Sequence, residues 1–175
     1  MGLEDDVERL RQERQERVNS HRQQERDFSA RLASLTAEFT KVLHRREIPT
    51  IPIHAHYVVQ FGPPGGRFSG IDYHPTSEVI GRGWLFSTYE ENSDTGPSRS
   101  PLVLSANGNL HTQLTTVKRR VRNVLGIRFK GYWPPGDFVC VLGECRTYVP
   151  DGLTALKDGM VRYLDELQSG SRRSR

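Results

Sequence analysis

The 4, 3, 4, 3 spacing of Phe28, Leu32, Leu35, Phe39 and Val42 is the strongest constraint on what this chain can fold into. Only a helix brings residues at that spacing onto one face, with Arg31, Ser34, Glu38 and Lys41 turned away from it. Carried back towards the N-terminus, the same frame meets Arg14, Val18, His21 and Glu25. Leu3, Val7 and Leu10 restore the spacing, but offset as a stutter would offset them. Residues 1–46 therefore read as one coiled-coil-like helical arm. Its second half should pack firmly, and its first half should be a weak coiled coil or a solvated single helix held by ion pairs such as Glu13–Arg17 and Arg22–Glu25. At about 1.5 Å per residue such a helix is roughly 65 Å long.

Charge divides the chain in the same way. Within the first 27 residues, Glu4, Asp5, Asp6, Glu8, Glu13, Glu16, Glu25 and Asp27 outnumber the arginines at 9, 11, 14, 17, 22 and 26. Between Thr95 and Gly136 there is no acid, while Arg99, Lys118, Arg119, Arg120, Arg122, Arg128 and Lys130 all lie there. The overall charge of +4 is modest, so the information lies in its distribution, which suits an anionic partner or a solvated cationic face.

Pro49 and Pro52 stop the helix and start a second unit, residues 47–168. Within it, residues 53–61 and 79–89 read as strands, the second interrupted by Gly81 and Gly83. Residues 62–66 read as a turn and residues 90–100 as a surface loop. Residues 102–114 form a hairpin. A three-residue loop, Asn107-Gly108-Asn109, pairs Ala106 with Leu110 and keeps Leu102, Leu104, Ala106, Leu110, Thr112 and Leu114 on one face.

Thr116 can cap a short helix lined by Val117, Val121 and Val124 or Leu125, with Gly126 closing it and residues 127–132 returning to strand. A further hairpin over residues 138–149 turns at Gly143-Glu144. Leu153, Leu156, Met160, Leu164 and Leu167 define an amphipathic C-terminal helix, and residues 169–175 a basic, disordered tail. The fold class is α+β: a long N-terminal helix, then a small domain with a mostly antiparallel sheet and a C-terminal helix.

Function is less legible. Lys118, Arg119, Arg120, Arg122, Arg128 and Lys130 cluster near Phe129, Tyr132 and Trp133, a combination suited to phosphate contact and base stacking. His54 and His56 leave one strand face, but a metal site needs a third ligand, so no metal is assigned. Cys140 and Cys145 sit diagonally across their hairpin, too far apart for an unstrained disulfide, and read as buried free thiols. Asp72-Tyr73-His74 and Ser77-Glu78 bring acid, base and hydroxyl close in sequence, which does not make a triad. The chain has no G-x-S-x-G, H-E-x-x-H or phosphate-loop signature and calls for no cofactor.

The first expectation is a non-enzymatic, cytoplasmic interaction or assembly module. Its seam, Phe28, Leu32, Leu35, Phe39 and Val42, packs either on its own domain or across an oligomer with a protein partner. The alternative is a nucleic-acid-binding protein using the cluster from Lys118 to Lys130. No membrane role is expected.

Overall fold

The computed structural model describes residues 3–61, 70–92, 96–118, 121–124, 127–130, 132–144 and 152–173. It has the expected α+β architecture. The N-terminal helix α1 (Leu3–Arg45) leads into β1 (Ile51–Phe61), β2 (Gly70–Asn92), β3 (Gly96–Ser105) and β4 (Leu110–Gln113). The short strands β5 (Val121–Val124), β6 (Ile127–Lys130) and β7 (Val141–Glu144) follow, and the helix α2 (Gly152–Arg173) comes last. Five strands form an antiparallel sheet in the order β1-β2-β3-β4-β7, while β5 and β6 pair separately.

The sheet curls until its ends meet. Val139, just ahead of β7, bridges Ile53 of β1 in parallel sense. The His54 N–H donates to the Val139 carbonyl at 2.8 Å, and the Val139 N–H donates to the Pro52 carbonyl at 3.1 Å. Curling buries both faces of the central strands. On one face Trp84, Phe86, Leu102, Leu104 and Leu110 pack with Phe39 and Leu43 of α1 and Leu156 and Met160 of α2. On the other, Ile53, Val103, Val139 and Val141 form a second cluster, with Ile51 and Leu85 against it. The runs Trp84-Leu85-Phe86 and Leu102-Val103-Leu104 are continuously apolar because alternate residues serve different cores. Gly159 lets α2 lie close on β2, since a Cβ there would come within 2.8 Å of the Ser87 carbonyl oxygen.

Helix α1 ends in a Schellman motif. The Ile48 N–H donates to the Leu43 carbonyl at 3.1 Å and the Glu47 N–H to the His44 carbonyl at 3.0 Å. Glu47 takes the left-handed conformation (φ 54°) that such a cap requires, and Ile48 packs against the core that holds Leu43. The helix is closed before Pro49 is reached.

Several sequence expectations need correction. The described part of the expected short helix is not helical: Val117 bridges Tyr73 and β5 is a strand, its residues 121–124 paired with 130–127. Valines spaced 4 and 3 fit a helix face, but β-branching also suits a strand, and pairing with residues 127–130 decides the outcome. Residues 90–100 are mostly ladder, with Glu90 opposite Ser98 and Asn92 opposite Gly96, so backbone pairing overrides a loop-like composition. The second strand runs unbroken through Gly81 and Gly83.

In the β3–β4 hairpin the loop has three residues, as expected, but is shifted to Ala106-Asn107-Gly108. Leu104 pairs with Leu110, and Gly108 carries the positive φ (90°). The shared face of Leu102, Leu104 and Leu110 survives because the register moves by two residues, an even number. Gly143 and Glu144 lie inside β7 rather than at a turn. The register slips at His111/Thr112, and the positive φ of Gly143 (41°) accommodates a bulge there. Finally, α2 continues to Arg173, into the stretch read as a disordered tail.

Candidate interaction surfaces

The expected seam divides along its length. Phe39 is buried against Phe86 and Tyr163, with ring centroids 5.7 and 6.3 Å away, and Leu32 and Leu35 pack against the same core. Phe28 and Val42 are half-buried. Leu43, outside the 4, 3, 4, 3 stripe, is the most deeply buried residue of the helix. Thr36 and Thr40 are also buried, and the Thr40 hydroxyl donates to the Thr36 carbonyl at 2.8 Å. The C-terminal third of α1 is thus part of the domain core.

From Asp6 to Asp27 every residue is exposed. The side-chain contacts there are local: Arg9–Asp6 at 2.9 Å, Gln15–Asn19 at 3.2 Å, Gln23–Asp27 at 2.9 Å and His21–Glu25 at 3.6 Å. Each such surface pair adds a few tenths of a kcal/mol, roughly 0.2–0.5. Val7, Leu10 and Val18 are apolar and exposed along this stretch.

The basic cluster is brought together only in part. The Lys118 ammonium is 2.7 Å from the Asp72 carboxylate, so this cation already has a partner across the bridge from Val117 to Tyr73. Arg122 lies opposite Phe129, Arg128 opposite Asn123 and Lys130 opposite Val121 on the β5–β6 ribbon. Arg119 and Arg120 fall outside the described residues. Beyond β6, Tyr132 (45% exposed) and Trp133 (41%) present aromatic surface, and Trp133 meets Phe138 edge-on at 5.2 Å.

The two β1 histidines do not act together. His54 is buried, shares a 2.9 Å hydrogen bond between Nδ1 and the Thr76 carbonyl, and packs edge-on against Phe138. The cause lies in the neighbouring strand: β2 bulges between Val79 and Pro75, and the carbonyl it turns inward holds His54. His56 instead sits beside Tyr73 at 5.5 Å. His74 is buried beneath a stacked Tyr57, 5.1 Å between ring centroids, and its Nδ1 has no hydrogen-bond partner among the described residues. Asp72 is therefore engaged with Lys118 rather than with His74. Among the described residues, no three His, Cys, Asp or Glu side chains gather as metal ligands would.

Cys140 is a buried free cysteine, and burial pushes its thiol pKa up to about 11. It therefore stays protonated and unreactive near neutral pH. Cys145 and the turn at residues 62–66 lie outside the described residues.

Sequence reasoning passed over one surface. From Ile48 to Gly66 the chain carries no Asp, Glu, Lys or Arg, a signal available without a structure. The structure places Tyr57 and Val58 of that segment exposed on β1, with exposed Ile71 on the adjoining β2. No described helix is long and apolar enough to cross a membrane. Compared with known proteins, the chain matches no family, no curated protein and no solved structure.

Proposed function

We propose that this chain is a non-enzymatic interaction or assembly module, in which the α+β domain is the base and the outer part of α1 is the docking element. One observation carries this reading. A single helix is anchored through Phe39 and Leu43, yet is solvent-exposed at every position from Asp6 to Asp27. A solvated helix of that length gains little from its own local pairs and makes no contribution to the core. Its alternating acids and arginines, with Val7, Leu10 and Val18 between them, suit a second helix laid alongside.

The test is removal of residues 1–27, a cut that spares Phe39 and Leu43. The shortened chain is expected to keep its far-UV circular dichroism apart from the lost helix, with its unfolding midpoint within about 3 °C, while losing association with its partner. Collapse of the midpoint would instead assign the arm to the stability of its own domain.

A second reading, nucleic-acid binding, is favoured by the placement of Arg122, Arg128 and Lys130 on paired strands next to exposed Tyr132 and Trp133. Fluorescence anisotropy with random-sequence single-stranded oligonucleotides tests it. Binding should weaken steeply with salt, and neutralising Arg122 and Arg128 should lower the salt slope by up to about one unit per lost contact. Binding that is absent at low salt removes this reading.

A further inference from the structure

The geometry points to the outer edge of β1, unpaired past Val139 among the described residues, as a self-association surface, on which a second copy of this chain adds its own β1 in antiparallel sense. This goes beyond the docking role of the arm and does not depend on it.

The Pro52 carbonyl and the His54 N–H both point away from β2, because both bond to Val139. Backbone groups alternate in direction along a strand, so His56, Val58 and Gln60 turn their N–H and C=O groups to that same edge. The irregularity near His54 leaves this alternation intact, because the extra residues lie on β2: two steps from His54 to His56 match four from Val79 to Pro75. Among the described residues, only Val139 pairs on this edge. Beyond it, β7 departs to pair with β4.

Proteins usually protect such an edge with charge, proline or a bulge on the edge strand itself. Here β1 carries no Asp, Glu, Lys or Arg, and its one proline, Pro52, precedes the free run. The exposed side chains of β1 are Tyr57, Val58 (53%) and the uncharged Gln60, with Ile71 (55%) beside them on β2, the strands being paired through Val58–Tyr73 and Gln60–Ile71.

These facts select the occupant. A two-fold axis perpendicular to the sheet must set a residue opposite itself. With Val58 on the axis, all three outward-facing residues of the run, His56, Val58 and Gln60, face one another, whereas an axis at Tyr57 would set Gln60 against His54, whose N–H is taken by Val139. His56 then faces Gln60 of the second copy, Tyr57 faces its Val59, and roughly six backbone hydrogen bonds close across the seam. Self-pairing normally sets like charges against each other, but a strand without formal charge avoids that repulsion. Val58 against Val58 is a β-branched pair of the kind that stabilises cross-strand contacts.

Sedimentation velocity of the full chain at increasing concentration provides the test. The wild-type chain should sediment at twice the 20.0 kDa chain mass. Val58→Lys sets two ammonium groups across the axis, and Val58→Pro deletes an N–H that β1–β2 pairing does not use. Both should sediment at the single-chain mass with unchanged circular dichroism. The full-length arm variant Leu10→Glu/Val18→Glu should remain double. A wild-type chain of single mass at every concentration, or a Val58→Lys chain of double mass, would overturn the proposal. If the arm variant alone becomes single, the association belongs to α1 and the edge is excluded. Should both Val58 variants fold poorly, amide exchange of the wild-type chain decides: the Val58 N–H must gain protection as concentration rises.

Discussion

Replacing Leu43 by alanine is expected to lower the stability of the chain by roughly 2–5 kcal/mol, the range for a fully buried leucine whose cavity cannot collapse. Leu43 has no exposed surface and sits where three things meet: the α1 cap, the sheet and α2. Its carbonyl accepts the Ile48 N–H that closes the helix. Ile48 packs against the same cluster, and its carbonyl accepts the Trp84 indole N–H at 3.0 Å. His44 presses edge-on against that indole at 5.1 Å. A cavity at Leu43 therefore loosens the join between the helix and the centre of the sheet. Urea unfolding followed by Trp fluorescence measures it, since Trp84 is a direct neighbour of the site. The control is Val18→Ala on the exposed arm, which should change stability by less than about 0.5 kcal/mol. Equal effects at the two positions would contradict the division of α1 into a core segment and a solvated arm.

That division was half legible in the sequence. The stripe from Phe28 to Val42 announced a packed segment, and the polar frame before it announced either a weak coiled coil or a solvated helix. What periodicity leaves open is the partner of the stripe, because an apolar face has the same sequence whether it meets its own sheet or another chain. Leu43 was missed for a related reason: it lies one position beyond a stripe drawn as a narrow coiled-coil seam. A helix packed on a sheet and a second helix buries a broader face that takes in Thr36, Thr40 and Leu43.

The strands were placed well where β-branched or aromatic runs were long, and poorly where pairing rather than composition decides. Glu90 and Ser98 look like loop residues until they are seen to lie opposite one another. The valines of residues 117–124 satisfied helical spacing and strand propensity equally, and only the presence of residues 127–130 as a pairing partner breaks the tie. Of the basic cluster, the sequence located the cations but could not show Asp72, 46 residues from Lys118, as its ion partner. The β1 edge shows the opposite case. Its lack of charge was readable from the start, but an uncharged run acquires meaning only once a fold places it at the margin of a sheet.

Two alanine substitutions on one strand separate local propensity from tertiary packing most sharply. Gly81 and Gly83 lie two residues apart on β2, and both looked like interruptions. Alanine is ordinarily the better strand residue by about 0.5–1 kcal/mol, because glycine loses more backbone freedom on folding. At Gly81 a Cβ would meet only the Ile53 Cδ1, at 3.9 Å, an ordinary contact. Gly81→Ala is therefore expected to be neutral or to stabilise by up to about 1 kcal/mol. At Gly83 the same atom would collide with the Leu104 carbonyl oxygen and lie 3.0 Å from the Ser105 Cα and 3.1 Å from the Leu104 carbonyl carbon. All three belong to the backbone of β3, which cannot rotate away as a side chain would. Gly83 faces Ser105 in the ladder, so β2 and β3 must part at the point where Trp84 and Leu104 fill the helix-covered core. Gly83→Ala should accordingly cost about 3 kcal/mol or more, at the upper end for an overpacked site. Thermal unfolding of the two variants beside the wild-type chain gives the comparison, with destabilisation expected at Gly83 alone from the same added methyl group. A Gly83→Ala chain as stable as its parent would mean that β2 and β3 do not approach this closely at Gly83.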